Sequence, residues 1–69
     1  MSFSNEIVKV RKKAFLTQVE FAKEIGVSFS TVNRWENDKG KPNNNAMKKL
    51  QSFCRTHGIP YEKLELEWL

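Results

Sequence analysis

The feature that most constrains the fold is residues 16–42, LTQVEFAKEIGVSFSTVNRWENDKGKP, where two short helix signals lie on either side of a single glycine. Thr17 and Glu20 have the spacing of a capping box, in which each side chain accepts a hydrogen bond from the other residue's amide. Gly26 is expected to end this helix, because glycine adopts the left-handed conformation without steric penalty. A second helix signal begins at Ser28, a favourable N-cap. The segment therefore predicts two helices joined by a sharp corner.

The remaining periodicity is also helical and predicts an all-α fold, a compact bundle of five helices. Ser4 is expected to cap a first helix over about residues 4–13, and Asn43 a fourth helix that ends at residues 57–58. A short fifth helix is expected to start at residues 59–60. Apolar residues that recur at intervals of three and four are assigned to the core, namely Ile7, Val10, Ala14, Phe21, Ala22, Ile25, Val32, Trp35, Met47, Leu50, Phe53 and Cys54.

Length and charge limit the functions that the chain can have. Its 69 residues are enough for one domain, residues 1–69, with a core at 3–66 and a short acidic and apolar tail at 62–69. A domain of this size buries about 60% of the surface that its unfolded chain exposes, and it has little room for a catalytic cleft. The net charge is +4, and residues 1–57 contain eleven of the twelve Lys and Arg residues but five of the eight acids. A basic body suits a polyanionic partner, and an ordinary basic surface is the alternative.

The residue types that serve catalysis and metal binding are scarce. Cys54 is the one cysteine, which excludes an intramolecular disulfide and favours a reducing, cytoplasmic location. His57 lies three residues further along the same predicted helix, but two ligands are too few for a structural zinc site. His57 is expected instead to cap the last carbonyls of its helix. No apolar run in the sequence approaches the ~20 residues of a membrane span. The sequence predicts no metal, no cofactor, no small-molecule ligand, no membrane partner and no enzymatic activity.

The third predicted helix, residues 29–37, has an apolar side and a polar side. At 100° per residue Val32 and Trp35 fall on one side, and four polar residues share an arc of about 100° elsewhere; these are Ser30, Asn33, Arg34 and Asn37. Arginine is the commonest reader of guanine, asparagine pairs similarly with adenine, and the ring of Phe29 suits a thymine methyl. For an isolated helix, a solvated amphipathic face is the simpler interpretation. The capped helix and the glycine corner before it favour a helix-turn-helix instead.

The order and spacing of these residues resemble the helix-turn-helix of the Cro and phage-repressor family, also called the XRE family. The similarity covers roughly residues 3–66 and implies a five-helix fold of the lambda-repressor-like type. The matching positions are Ile7, Val10, Arg11, Leu16, Thr17, Gln18, Phe21, Ala22, Gly26, Val27, Ser28, Ser30, Thr31, Val32, Arg34, Trp35, Glu36 and Pro42.

The resemblance also implies roles for individual residues. Those that face the bases are Phe29, Ser30, Asn33 and Arg34. Those that lie next to phosphates, at helix N-termini and in the loop at residues 37–44, are Thr17, Gln18, Ser28, Asn37, Lys39, Lys41, Asn43 and Asn44. Arg11 and Glu36 are implied to form a structural ion pair between the first and third helices.

Two positions depart from the family pattern. Phe29 often corresponds to a long polar residue, and because a phenyl ring forms no hydrogen bond to a base, its readout is apolar or it packs against its own protein. Asp38 often corresponds to a glycine. Here Gly40 is expected to supply the flexibility, and the acid lies where a phosphate is expected.

The resulting hypothesis is a small transcriptional regulator that binds double-stranded DNA sequence-specifically, with its third helix in the major groove. A homodimer on an inverted repeat is expected to increase the affinity, since one copy offers a small interface. The alternatives are a DNA-targeting domain of a larger protein and an antitoxin-like protein-interaction module. In that module the apolar tail at residues 64–69 is the adhesive surface. Otherwise the tail completes the core, forms a dimer patch or joins a further domain.

Overall fold

The computed structural model describes residues 2–69, so that Met1, the first residue of the predicted domain, lies outside the described part. The helices are α1 (Phe3–Lys13), α2 (Gln18–Ile25), α3 (Phe29–Glu36), α4 (Asn44–His57) and α5 (Glu62–Trp68). Residues 2–69 thus contain five helices and no strand, which confirms the predicted all-α bundle. None of these five helices is long and apolar enough to cross a membrane.

The core receives side chains from every helix. Its buried hydrophobic members are Phe3, Ile7, Val10, Phe21, Ala22, Ile25, Val32, Trp35, Met47, Leu50, Phe53, Cys54, Ile59 and Leu64. Phe21 and Phe53 pack edge to face with ring centroids 5.0 Å apart, which joins α2 to α4. Ala14, which was predicted for the core, lies half-buried at its edge. The helical periodicity of the sequence therefore identifies most of the core.

The apolar tail is partly buried and partly exposed. Leu64 is buried and Trp68 packs against the core, so that these two side chains complete it. Leu66 and Leu69 remain 70% and 83% exposed. Part of the tail is therefore structural and part of it is available on the surface.

Each of the first four helices has an N-cap residue whose side chain accepts a hydrogen bond from a main-chain amide. The capping box of Thr17 and Glu20 has both of its hydrogen bonds, at 2.9 and 3.1 Å, and Ser28 and Asn43 cap α3 and α4 as predicted. The prediction that Ser4 caps α1 was wrong: Ser2 is the N-cap, and its hydroxyl accepts a hydrogen bond from the amide of Asn5 at 3.2 Å. The earlier start brings Phe3 into the helix, where its ring is buried in the core.

The predicted ends of two helices also differ from the structure. α5 begins at Glu62 instead of residues 59–60, because the amide of Ile59 donates to the Cys54 carbonyl at 2.8 Å and so completes the end of α4. α3 ends at Glu36, one residue before the predicted end, with Asn37 as its C-cap.

Four helices end in the same main-chain arrangement, a Schellman motif with a left-handed residue just beyond the helix. Gly26 and Gly58 occupy that position after α2 and α4, with φ of 77° and 66°. Phe15 and Asp38 occupy it after α1 and α3, both with φ of 59°. Asp38 itself adopts the left-handed conformation at the place of the family glycine, and aspartate tolerates this conformation better than most residues. Gly40, which was expected to supply flexibility here, does not have a positive φ.

The hydrogen bonds of these motifs direct the chain after each helix. After α1 the amides of Phe15 and Leu16 donate to the Lys12 and Arg11 carbonyls at 3.0 and 3.3 Å. After α3 the amides of Asp38 and Lys39 donate to the Trp35 and Arg34 carbonyls at 3.4 and 2.9 Å. The residue that follows the left-handed position usually makes an apolar contact, and after α1, α2 and α4 it is Leu16, Val27 and Ile59, which pack on the core. After α3 it is Lys39, whose side chain is exposed beside that helix.

The two residues considered as metal ligands have structural surroundings. Cys54 is fully buried, and burial raises the pKa of its thiol to about 11, so that it stays protonated at neutral pH. The capping role predicted for His57 was wrong. The last carbonyls of α4 already accept hydrogen bonds from the amides of Gly58 and Ile59. The ring centroid of His57 lies 4.3 Å from that of Phe53, and its Nε2 lies 3.0 Å from Glu24 Oε1.

Replacing Phe15 by glycine is expected to stabilise the fold. The ring is 93% exposed, so its removal costs little packing. A left-handed non-glycine residue costs about 1–2 kcal/mol, and glycine adds an entropic cost of about 0.5–1 kcal/mol. The expected net gain in the free energy of unfolding is roughly 0.5–1 kcal/mol, measured by urea denaturation.

Gln51→Gly is the matched control, because Gln51 is exposed in the interior of α4, where glycine has no conformational advantage. It is expected to lose about 0.5–1 kcal/mol. A loss of stability in both variants would contradict the strain assigned to Phe15.

Candidate nucleic-acid interface

α3 is fixed by its apolar side and presents its polar side outward. Val32 and Trp35 are buried, as the helical arc predicts. Ser30, Arg34 and Asn37 are exposed, whereas Asn33 is half-buried. The predicted base-facing residues therefore have two different environments.

A carboxylate at the end of α3 joins three helices. Arg11 donates from Nε to Glu36 Oε2 at 2.7 Å and from Nη2 to Glu36 Oε1 at 3.1 Å, so the ion pair implied by the resemblance is present and bidentate. Arg11 also donates to the Leu16 carbonyl at 3.0 Å. The side chains of Arg11 and Glu36 are 15% and 5% exposed, and in this environment charge-assisted hydrogen bonds are strong.

Gln18 extends this network to the polar side of α3. Its Nε2 donates to Glu36 Oε1 at 2.8 Å, and its Oε1 accepts from Asn33 Nδ2 at 3.2 Å. Gln18 is the first residue of α2, where main-chain amides lack acceptors within the helix. The side chain of Gln18 is thus held between the ion pair and the polar side of α3, whereas its main-chain N–H remains available to an anion.

Two depressions flank Arg34 on the outer side of α3. One, here called the loop groove, lies between α3, the following loop and α4, and its polar lining consists of Thr31, Arg34, Lys41, Asn43, Asn45 and Lys49. The other, the helix depression, is lined by Asn33, Arg34, Asn37 and Lys39. Among the described residues, no Asp or Glu lines either one. The two depressions share Arg34, and every charged side chain that lines them is cationic.

Three polar residues of the loop groove, Thr31, Asn45 and Lys49, were not predicted as site residues. Asn45 and Lys49 lie four residues apart on α4 and therefore on one side of it. The signal was present in the sequence as a polar pair offset from the core residues Met47 and Leu50. Assigning that pair to the interface requires knowing how α4 packs beside α3.

The structure gives several predicted phosphate residues other contacts. The hydroxyls of Thr17 and Ser28 accept from the amides of Glu20 and Thr31, so both are occupied as helix caps. Lys41 Nζ donates to the Glu67 carbonyl at 3.1 Å. Asn44 is exposed but lines neither depression.

Phe29 is at the surface. Its side chain is 47% exposed, and it belongs neither to the core nor to the residues packed against the core. Of the two alternatives for this ring, an apolar contact outside the protein agrees better with its exposure. Ser30 is exposed beside it in the first turn of α3. Asp38 is exposed and lines neither depression.

Comparisons with known proteins find matches over most of this chain. The helix-turn-helix family profile matches residues 7–58, from within α1 to the residue that ends α4. The chain is 32% identical over 53 residues to the HTH-type transcriptional activator BcrR of Enterococcus faecalis. That match covers 77% of the chain and 26% of BcrR, so the chain spans about a quarter of its relative's length. No solved structure gives a significant match.

Removing either partner of the Arg11–Glu36 pair is expected to destabilise the fold strongly. Arg11→Ala or Glu36→Ala leaves the other charge with little solvent, at a cost of about 3–5 kcal/mol. The double variant is expected to lose less than the sum, with a coupling energy above about 1 kcal/mol in a double-mutant cycle followed by urea denaturation.

Glu6 and Lys9 provide the control cycle. Their atoms are 3.5 Å apart and Lys9 is 61% exposed, so a coupling of about 0–1 kcal/mol is expected. Equal coupling in the two cycles would refute the structural role given to Glu36.

Proposed function

Because the chain belongs to the Cro and phage-repressor-like helix-turn-helix family, we propose that it is a transcriptional regulator that binds double-stranded DNA, with α3 in the major groove. The observation that supports this most is Arg34 at the meeting point of two depressions free of acidic side chains. A helix is about 10–12 Å wide with its side chains, and the major groove is about 12 Å wide. The proposed role is occupancy of a site in the cytoplasm, where bound protein blocks or recruits polymerase.

Base recognition is assigned to Phe29, Ser30, Asn33 and Arg34. One Asn33 N–H is bonded to Gln18, which leaves its other N–H and its Oδ1 for N7 and N6 of an adenine. The exposed guanidinium of Arg34 has the donor geometry for O6 and N7 of a guanine. Phe29 offers a half-exposed ring to a thymine methyl.

Phosphate contacts are assigned to two regions on either side of α3. The first is the N-terminus of α2, which Thr17 caps and where the main-chain amide of Gln18 is free to donate to a phosphate. The second comprises the loop and the start of α4, with Asn37, Lys39, Lys41, Asn43 and Asn44 from the prediction and Asn45 and Lys49 from the structure. Ser28 contributes through the N-terminus of α3 that it caps. Two regions of this kind would contact both strands beside the groove.

Pairing of two copies on an inverted repeat follows from the small size of the interface. The two half-sites would lie about one helical turn, ~34 Å, apart. Leu66 and Leu69, which are exposed on α5, are proposed to form part of the homodimer contact.

A second candidate function is the DNA-targeting domain of a larger protein. The observation that favours it is the extent of the match, since the chain spans about a quarter of BcrR. The proposed DNA contacts are the same in both cases. The antitoxin-like module would instead give association that is insensitive to salt and no retention of DNA.

Selection of bound sequences from a random DNA pool is expected to enrich an inverted repeat.

Arg34→Ala is expected to relax the preference at one base pair of each half-site, at a cost of about 1–3 kcal/mol. Arg55→Ala is the control, because it removes the same charge about 16 Å further along α4 than Asn44. Equal affinity of the Arg34 variant and the wild type for the selected site would exclude Arg34 from base recognition.

Lys39→Ala is expected to weaken binding to all DNA sequences by a similar factor. It removes a phosphate contact, so the slope of log K against log salt concentration should decrease by about one. Lys63→Ala is the control, since Lys63 lies in a different depression, with Glu6 and Val10. A sequence-dependent loss in the Lys39 variant would show that Lys39 contacts bases instead.

A further inference from the structure

The last turn of α5 is tied to the loop between α3 and α4 by two hydrogen bonds that run in opposite directions. The indole N–H of Trp68 donates to the Pro42 carbonyl at 2.7 Å. The Lys41 ammonium donates to the Glu67 carbonyl at 3.1 Å. Each bond joins residues 26 positions apart in the chain, so the contact belongs to the tertiary structure.

The loop depends on this contact because it has little main-chain bonding of its own. The amide of Lys39 makes the last bond of the motif that ends α3, and the carbonyl of Asn43 accepts the first bond of α4. Within the described chain, residues 40–42 between them take part in no main-chain to main-chain hydrogen bond. Pro42 has no N–H to donate, so its carbonyl is its one polar main-chain group.

Burial makes the bond from Trp68 costly to lose. Pro42 is buried and Trp68 packs against the core, beside the fully buried Leu64 of the same helix. A carbonyl in such surroundings loses free energy when its donor is removed, because water does not replace the donor easily. The indole therefore fixes the position of Pro42 by both packing and hydrogen bonding.

The bond from Lys41 leaves that residue able to contact an anion. An ammonium has three N–H donors, and one donated to Glu67 leaves two. The Glu67 carbonyl is at the C-terminal end of α5, where carbonyls lack partners within the helix and attract a cation. The bond thus orients Lys41 in the loop groove without neutralising it.

We propose that Trp68 is a positioning residue for DNA binding. It fixes Pro42, and through Pro42 it holds Lys41 and the N-terminus of α4 in the orientation in which they contact a phosphate. Trp68 itself touches no DNA. This inference rests on the proposed function, and it assigns to α5 a role in the affinity of an interface that α5 does not line.

Trp68→Phe tests the inference, because it removes the indole N–H and retains an aromatic ring. Binding to the selected DNA site is measured as a function of salt, at a temperature where both proteins are fully folded. The variant is expected to bind about tenfold more weakly, by a similar factor on selected and scrambled DNA, with a salt slope lower by about one. Tyr61→Phe is the matched control, because it also removes a polar hydrogen from an aromatic side chain packed on the core, and it is expected to bind as the wild type does.

Two readouts separate positioning from a general loss of stability. Amide exchange of Gly40 and Lys41 in the free protein is expected to accelerate in the Trp68 variant, whereas exchange in α2 stays unchanged. In a Lys41→Ala background, Trp68→Phe is expected to weaken DNA binding by a smaller factor than in the wild type, because the Lys41 contact is already lost and only the N-terminus of α4 is still affected.

The possible failures are distinguishable. Wild-type protein that binds DNA, together with a Trp68 variant of the same affinity and salt slope, would overturn this inference alone. A variant that melts at a lower temperature but binds normally when folded would also overturn it. Wild-type protein that binds no DNA would overturn the proposed function and this inference with it.

Discussion

The structure depends on the nearly buried carboxylate of Glu36. An ionised group with so little solvent must be paired and hydrogen-bonded, and its partners, Arg11 and Gln18, come from α1 and α2. The apolar contacts of Val32 and Trp35 hold α3 against the core, but hydrophobic contact is not directional. The bidentate pair is directional, so it fixes how far α3 extends from the other two helices. The position of α3 relative to α1 and α2, and the direction in which its polar side faces, therefore depend on these contacts.

Much of the fold could be predicted because its signals are local. The capping box of Thr17 and Glu20, the stops at Gly26 and Gly58 and the core periodicity each require a few neighbouring residues. The stop at Phe15 was not predictable in this way, because phenylalanine disfavours the left-handed conformation. The stop at Asp38 was missed although aspartate tolerates that conformation better than most residues. At Phe15 the turn is accompanied by tertiary contacts: the partly buried Leu16 packs on the core and its carbonyl accepts a hydrogen bond from Arg11. The start of α1 was mistaken for a similar reason: Ser2 and Ser4 are equivalent as caps, and the burial of Phe3 decides between them.

The candidate site shows the same division. The arc of α3 is a property of helical geometry, so the residues on its polar side could be named from the sequence. The contacts of Gln18 with Glu36 and Asn33, 18 and 15 residues away, arise from packing. The bond between Trp68 and Pro42 has no sequence signature at all. Residues that position other residues are thus harder to predict than those that face outward, because their function is defined by a neighbour.

The bond between Gln18 and Asn33 also affects the thermodynamics of recognition. A flexible side chain that becomes ordered at an interface loses rotamer entropy worth about 0.5–1.5 kcal/mol. Asn33 and Gln18 lose much of that freedom when the protein folds, whereas the exposed Arg34 retains its own. In the proposed complex, the entropy of one recognition residue would therefore be lost at folding, and that of its neighbour at binding.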